Sequence, residues 1–492
     1  MKKVFFSVLT FAVALCGTLS SQAGPVDAIT ARKVATNFLS QKSGHAVDLV
    51  DVTSQMPYRH IYFFVEPNGN GNVILSADDR AIPVLGYSTN TTFDPADLPA
   101  HIDLWFRHYD EELSYIIAND LEATDEITAE WSRLIKGLPE PAERAREKSV
   151  SPLLTTTWGQ GSNSTRTYNY KCPDSSGYKP YAGCTAVATA QVMKYWNHPT
   201  TGRGSHSYVP RFTNSTVSAN FGNTTYAWSS MPNSLSSSST TTQRDAVALL
   251  MFHIGVAVEM DYGTSGSGAA TVNYGSLSYP SAENALVTHF KYSSSTHSVA
   301  KSDFTDAQWK ALLKAELDAS TPRPILYSGY DVSAGHSFVL DGYDNSGKFH
   351  VNWGWSSRYD NYYEMGALNP GIGGSGGNTS GTYNYRNQAV IGIKPATATG
   401  NSFTVTVNAN NTSYGGATGG RSYNAYDTAT IVATANEGYR FKQWSDGSKS
   451  NPRSFIVNDN VTFTADLERI SGDTFVGLRL AVSADVGNLT PQ

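Results

Sequence analysis

Tyr181-Ala182-Gly183-Cys184-Thr185-Ala186-Val187-Ala188-Thr189-Ala190-Gln191 places a cysteine directly after a glycine, at the head of a run of small and apolar residues. The run reads as a buried helix. A thiol at a helix N-terminus faces unpaired N–H groups and the positive end of the helix dipole, which favour thiolate and create a nucleophile. A buried structural cysteine fits the same stretch, so this segment alone leaves both readings open.

A second segment shifts the balance. Ala334-Gly335-His336-Ser337-Phe338-Val339-Leu340-Asp341-Gly342-Tyr343 is a glycine-led histidine followed by an apolar strand, and Asp344-Asn345-Ser346-Gly347 is turn chemistry. The chain returns as Lys348-Phe349-His350-Val351-Asn352-Trp353-Gly354-Trp355. The pattern predicts a β-hairpin. With its turn centred on Ser346, His336 and Asn352 have the same parity and share one face, whereas a shift of one residue would part them.

A cysteine thiolate, a histidine to hold and deliver protons and a side-chain amide to orient the imidazole form the constellation of a cysteine peptidase. His336 follows Cys184 by 152 residues, close to the roughly 130–150 of papain-like enzymes. The Cys-Gly-Ser-Cys-Trp type of papain signature does not surround Cys184. The residues therefore imply a papain-like thiol hydrolase or acyltransferase outside the papain family proper.

Five segments, in order, resemble the streptopain family of secreted bacterial cysteine peptidases: Trp158-Gly159-Gln160-Gly161, Gly183–Tyr195, Met260-Asp261-Tyr262-Gly263, Gly335-His336-Ser337-Phe338-Val339 and His350–Trp355. The resemblance implies Cys184 as nucleophile, His336 as general acid/base and Gln160 as oxyanion-hole donor beside the Cys184 backbone N–H. It implies Asn352 and Trp353 as the pair that orients and shields the histidine, and Ser267 and Gly335 as residues lining the substrate cleft. Such a reaction needs no cofactor beyond a reducing environment. Each residue has a plainer reading: Gln160 as a loop amide, Asn352 as a strand-edge amide, Trp353 and Trp355 as core. His350 rivals His336 for the base, because it lies two residues before Asn352.

Composition bounds the rest. The chain has 492 residues and a net charge of −6, with no basic block that would mark a nucleic-acid partner. Neither His-Glu-x-x-His nor a cysteine pair at metal-ligand spacing occurs, so no metal is expected. Met1-Lys2-Lys3, the apolar stretch Val4–Leu19 and Ser21-Gln22-Ala23 read as a signal peptide over 1–23, cleaved after Ala23, and imply a secreted or envelope protein. No later stretch is apolar enough to span a membrane. Cys172 and Cys184 remain after that cleavage; two free thiols are expected, since a disulfide would silence the nucleophile.

Residues 24–148 read as a separate α+β unit. Asp27–Gln41 carries Ile29, Val34, Phe38 and Leu39 at helical spacing with Asp27 as cap. Asn68-Gly69-Asn70-Gly71 joins two strands in a hairpin, and helices are predicted near 100–118 and 125–136. The charged, proline-bearing Pro139–Lys148 reads as an exposed linker. A folded unit ahead of a secreted protease reads as a propeptide; the streptopain resemblance implies that it blocks the cleft as the chain's own inhibitor, and removal is expected between Ala142 and Val150 with the bond after Lys148 favoured. The fold class expected overall is α+β: a papain-like catalytic domain of two subdomains over 149–396, after the α+β prodomain and before a small all-β repeat module at 402–469. Gly371–Gly377 reads as a loop at the cleft rim, and 470–492 carries no readable signal. Protein or peptide substrates follow as partners, with a surface ligand for the C-terminal module. The alternatives left open are a surface-binding protein with an idle protease core, or a transglutaminase-like acyltransferase.

Overall fold

The computed structural model describes residues 23–470, apart from 92, 175–176, 275, 331–334, 370–386 and 398–399. Residues 1–22 of the expected signal peptide, the glycine-rich stretch Gly371–Gly377 and the tail beyond residue 470 lie outside the described residues.

The N-terminal region contributes helices α1 (Ala28–Ser43), α2 (Ala100–Ala118) and α3 (Asp125–Ile135) and strands β1 (Val50–Asp51), β2 (Ile61–Val65), β3 (Asn72–Ser76) and β4 (Val84–Ser88). Asp27 caps α1 as expected, its carboxylate accepting the N–H groups of Ile29 and Thr30, both at 2.9 Å. Ile29 itself points to solvent, 85% exposed, so helical spacing assigned it wrongly to the core. The linker carries only the short helix α4 (Ala142–Ala145).

The catalytic region follows with α5 (Cys184–Trp196), β5 (Ser205–Tyr208), β6 (Val217–Asn220), α6 (Thr241–Ala257), α7 (Ala282–Thr288), β7 (His297–Ala300), α8 (Asp306–Leu317), β8 (Ile325–Tyr330), β9 (Gly335–Tyr343), β10 (Phe349–Asn352), β11 (Asn361–Tyr363) and β12 (Gln388–Ile391). Its strands β7 to β12 are contiguous in one sheet, which the N-terminal strands extend. Tyr362 and Tyr363 of β11 pair with Tyr87 and Gly86 of β4, giving one antiparallel sheet of ten strands in the order β1-β2-β3-β4-β11-β10-β9-β8-β12-β7. The N-terminal region, read from sequence as a separate unit, is thus continuous with the sheet that carries His336.

Side-chain alternation along β9 divides the interior into two layers. Val339 faces α5 and α6 in a core with Ala186, Val187, Ala190, Leu250 and Ile254. Phe338 and Leu340 face the other way, into a core shared by α8 and the N-terminal helix α2. Phe106, Tyr109 and Leu113 of α2 are buried there beside Trp309, Tyr327 and Tyr363. The expected propeptide therefore contributes to the packing beneath one face of the His336 strand.

The C-terminal module comprises β13 (Ser402–Ala409), β14 (Gly415–Thr418), β15 (Arg421–Asn424), β16 (Thr428–Ala435), β17 (Tyr439–Trp444), β18 (Arg453–Ile456) and β19 (Val461–Arg469). These form sheets of four and three strands around Trp444, Phe463, Phe455 and Leu467. The module is docked on the catalytic region. Asn458 accepts the Ser294 hydroxyl at 2.7 Å and donates its amide to the carbonyls of Tyr292 and Val287, all in buried surroundings. Arg203 stacks over the Tyr426 ring, 3.3 Å from its centroid.

Candidate active site

Gly183 starts α5 from φ +93°, a conformation suited to glycine, and a Cβ there would lie 2.6 Å from the Met260 thioether. Cys184 is the first helical residue, so its thiol sits where backbone N–H groups lack intrahelical partners. Burial would push the thiol up. The His336 imidazole beside it, the Ser337 N–H and Thr185 outweigh that and lower it to about 7. The hydroxyls of Thr185, Ser337 and Thr271 form a buried chain, at 3.0 and 2.5 Å, that fastens the head of α5 to β9.

Cys172 is the opposite case. It is free, like Cys184, but burial drives its thiol up to about 12, leaving it a small buried group without nucleophilic character.

The hairpin turn is centred on Ser346, with Tyr343 opposite Phe349 and Gly342 opposite His350. The register then slips: Val351 lies opposite Leu340 and Asn352 opposite Val339. Asp341 is the extra residue of a β-bulge, and its buried carboxylate holds His350 Nδ1 at 2.6 Å and the Leu154 N–H at 2.9 Å. The slip overturns the shared face expected for His336 and Asn352. The Asn352 amide turns to α5, where Oδ1 accepts Gln191 Nε2 at 2.8 Å and Nδ2 donates to the Thr156 carbonyl at 3.0 Å. It does not hold the imidazole.

Trp353 takes that place by its main chain. Its carbonyl accepts His336 Nε2–H at 3.0 Å, which leaves Nδ1 as the nitrogen for the thiol. Its buried indole packs 5.9 Å from the His336 ring and 4.6 Å from Phe338. Trp105 of α2 stands edge-on to that indole at 5.8 Å, so the N-terminal region supports the histidine wall directly. His350, the sequence rival, is committed to Asp341. Burial works to lower it, but that carboxylate and Asp360 hold it above its ordinary value.

Gln160 is buried beside this cluster, its carbonyl accepting the Ala182 N–H at 3.0 Å, two residues before the thiol. Gly159 packs so closely on the loop after β10 that a Cβ would lie 2.5 Å from Ser356 Oγ. Ser267 spends its hydroxyl on the Tyr181 carbonyl at 2.8 Å and the Gly263 N–H at 3.1 Å, shaping the segment before Cys184 from behind. Gly335 is exposed at the start of β9.

Two residues not singled out from sequence complete the arrangement. Gln191, fully buried on α5, joins Asn352 to the Trp158 N–H. Asp360, also buried, accepts the Trp353 N–H at 2.8 Å. Seven residues on from Trp353 and outside any motif, Asp360 gave no local signal; Gln191 lay within one and looked like an ordinary helical amide.

The chain is similar to known proteins along most of its length. Residues 158–363 match the Peptidase C10 family, residues 23–113 the Spi protease inhibitor family and residues 405–471 the divergent InlB B-repeat domain. Streptopain of Streptococcus pyogenes is 31% identical over 365 residues, which is 71% of this chain and 84% of streptopain. The thiol protease/hemagglutinin PrtT of Porphyromonas gingivalis is 30% identical over 407 residues, 80% of this chain. The match spans only 44% of PrtT, under half of that relative's length. A prointerpain A fragment of Prevotella intermedia, with a cysteine-to-alanine mutation, superposes with a TM-score of 0.56 at 31% identity. It covers 71% of this chain and the whole of that fragment.

Proposed function

The chain belongs to the peptidase C10 (streptopain) family of cysteine endopeptidases, preceded by an inhibitor-like propeptide domain, and we propose that Cys184 is its nucleophile and His336 its acid–base partner. The observation that carries this reading is the Cys184 thiol at the head of α5, lowered to about 7 beside an imidazole that is itself anchored. The thiolate attacks a peptide carbonyl, and the Gln160 amide and Cys184 N–H receive the oxyanion. His336 protonates the leaving amine, then activates the water that releases the acyl group. Trp353 shields and orients the imidazole, while Ser267 and Gly335 shape the cleft wall.

In this reading the leader 1–23 directs export, 24–148 is the propeptide, 149–396 the catalytic domain and 402–469 a docked accessory module. The described residues include no helix long and apolar enough to cross a membrane. A surface ligand would be met by the module, where β15 exposes Arg421, Ser422 and Asn424.

Incubating the full chain with mild reductant beside Cys184→Ala, followed by intact mass, tests the assignment. Loss of the segment ending at Lys148 in the wild type alone supports it. Two intact proteins that leave casein whole, even after the linker is cut in trans, would overturn it.

A further inference from the structure

The loop from Trp353 to Asp360 does two things at the active site. It presents the carbonyl that receives His336 Nε2–H, and it backs the segment that carries Gln160, through Ser356 against Gly159 and the Ser356 N–H on the Trp158 carbonyl at 3.4 Å. A main-chain carbonyl is only as well aimed as the loop that bears it. This loop is not relaxed: Gly354, Ser356, Ser357 and Tyr359 all have φ between +56° and +74°. Three of them bear side chains, for which that region is costly. Something must hold the loop in shape.

The Asp360 carboxylate does so at one end. It is buried at the start of β11's approach and bonds the N–H of Trp353, the residue whose carbonyl faces His336. Tyr359 pins the other side through its hydroxyl, donated to the carbonyls of Asp94 and Asp97. Behind Asp360 lie the buried Asp341 and its partner His350, so two carboxylates and one imidazole are gathered behind the histidine wall. Burying a carboxylate is expensive unless it is used, and here its hydrogen bond falls on the residue that orients the imidazole.

We propose that Asp360 is a positioning residue of the peptidase, fixing the Trp353 main chain so that its carbonyl orients His336 and its loop holds Gln160 in place. This assigns to a carboxylate, acting through a peptide group, the orienting task that sequence reasoning gave to the Asn352 amide. The inference rests on the reading of Cys184 and His336 as the reacting pair.

The test uses the full chain and variants Asp360→Ala, Asp360→Asn and His336→Ala. The first readout is the pH profile of iodoacetamide alkylation, assigned to Cys184 by peptide mapping. The second is kcat and KM on a short peptide, per titrated active site, with thermal unfolding alongside. The wild-type inflection is expected near 7. Asp360→Ala should raise it by about one unit and lower kcat about tenfold or more with KM nearly unchanged. Asp360→Asn, which keeps an acceptor oxygen, should fall between wild type and Ala. Where Asp360→Ala does not fold, Asp360→Asn decides alone. Variants that lose thermal stability but keep the wild-type inflection and kcat would show a structural role only and overturn the proposal. An inflection that His336→Ala also leaves in place would instead overturn the underlying Cys184–His336 assignment.

Discussion

Asn352 lies opposite Val339, not Leu340, and that offset of one residue turns its amide away from His336. The extra residue is Asp341, whose buried carboxylate bonds His350 and the Leu154 N–H while its main-chain carbonyl accepts the Leu153 N–H, and these bonds stabilise the bulge. One consequence is a division of labour in Asn352-Trp353: the side chain of the first joins the two layers of the fold, and the carbonyl of the second orients the imidazole.

Asn352→Ala is therefore expected to act on stability before chemistry. It strands the buried Gln191 amide, the Thr156 carbonyl and the Gly354 N–H, a loss of about 1–3 kcal/mol. Urea unfolding of the full chain measures this directly. Turnover per titrated active site should stay within a few-fold of wild type, and a hundredfold loss with unchanged stability would restore the amide as the orienting group.

Gly159→Ala should displace the Gln160 segment, because the added methyl would meet Ser356 Oγ at 2.5 Å. Removing that oxygen makes room, and Ser356 already has a φ of +56° that glycine adopts freely. The expected result is a marked fall in kcat for Gly159→Ala and substantial recovery in Gly159→Ala/Ser356→Gly. Additive losses in the double variant would disconnect Gly159 from the loop.

Much of this site was legible because its signals are local. The glycine before Cys184 and the small apolar run after it specify a helix head, and Asp344-Asn345-Ser346-Gly347 specifies a turn where the hairpin does turn. The bulge was not legible, since a polar residue inside a strand looks alike whether it faces solvent or is the extra residue of a bulge. Nor was the join of β4 to β11, because pairing between segments so distant in sequence leaves no mark on either. For the same reason the N-terminal region read as a separate unit, when its helix α2 fills the core under Phe338 and Trp353.

Stability should fall as pH rises through neutrality. Burial pushes Glu112 and Asp360 up to about 7 each, against the ordinary carboxylate range of the unfolded chain. The folded state therefore binds protons more tightly, and the stability this confers is complete below the unfolded values and lost as pH passes about 7. Glu112 belongs to α2 and accepts the Leu368 N–H at 2.6 Å across the boundary between propeptide and catalytic region; that bond favours the ionised carboxyl, but burial of the charge outweighs it. Thermal unfolding of Cys184→Ala from pH 5 to 9 should show the decline, and Glu112→Gln should flatten part of it. A curve unaltered by Glu112→Gln would exclude this carboxyl.

Undocking the C-terminal module should leave the peptidase intact. Asn458 makes four hydrogen bonds in the interface: its side chain accepts the Ser294 hydroxyl and donates to the carbonyls of Val287 and Tyr292, and its backbone N–H donates to Ser294 Oγ. None of these lies in the Cys184–His336 cluster. Asn458→Ala is expected to resolve one unfolding transition into two and to speed proteolysis between residues 396 and 402, with peptide turnover unchanged. Loss of turnover in step with undocking would make the module part of the catalytic unit.

Processing should take place between molecules. Val150 exchanges both backbone hydrogen bonds with Tyr343, at 2.8 and 2.9 Å, and Lys148 is ion-paired to Asp318 at 2.8 Å. Tyr343 ends the strand near whose start His336 stands, and seven residues of strand separate them by about 23 Å. Gly342 leaves no slack, since a Cβ there would lie 2.6 Å from the Val150 carbonyl oxygen. A bond after Lys148 therefore cannot reach the Cys184 of its own chain while this docking persists, but it is exposed to a second molecule. The initial rate of propeptide loss should rise with the square of protein concentration, and Cys184→Ala protein should be trimmed when mixed with a trace of active enzyme. A rate strictly proportional to concentration, with the mixed Cys184→Ala chain untouched, would require the linker to leave Tyr343 and enter its own cleft.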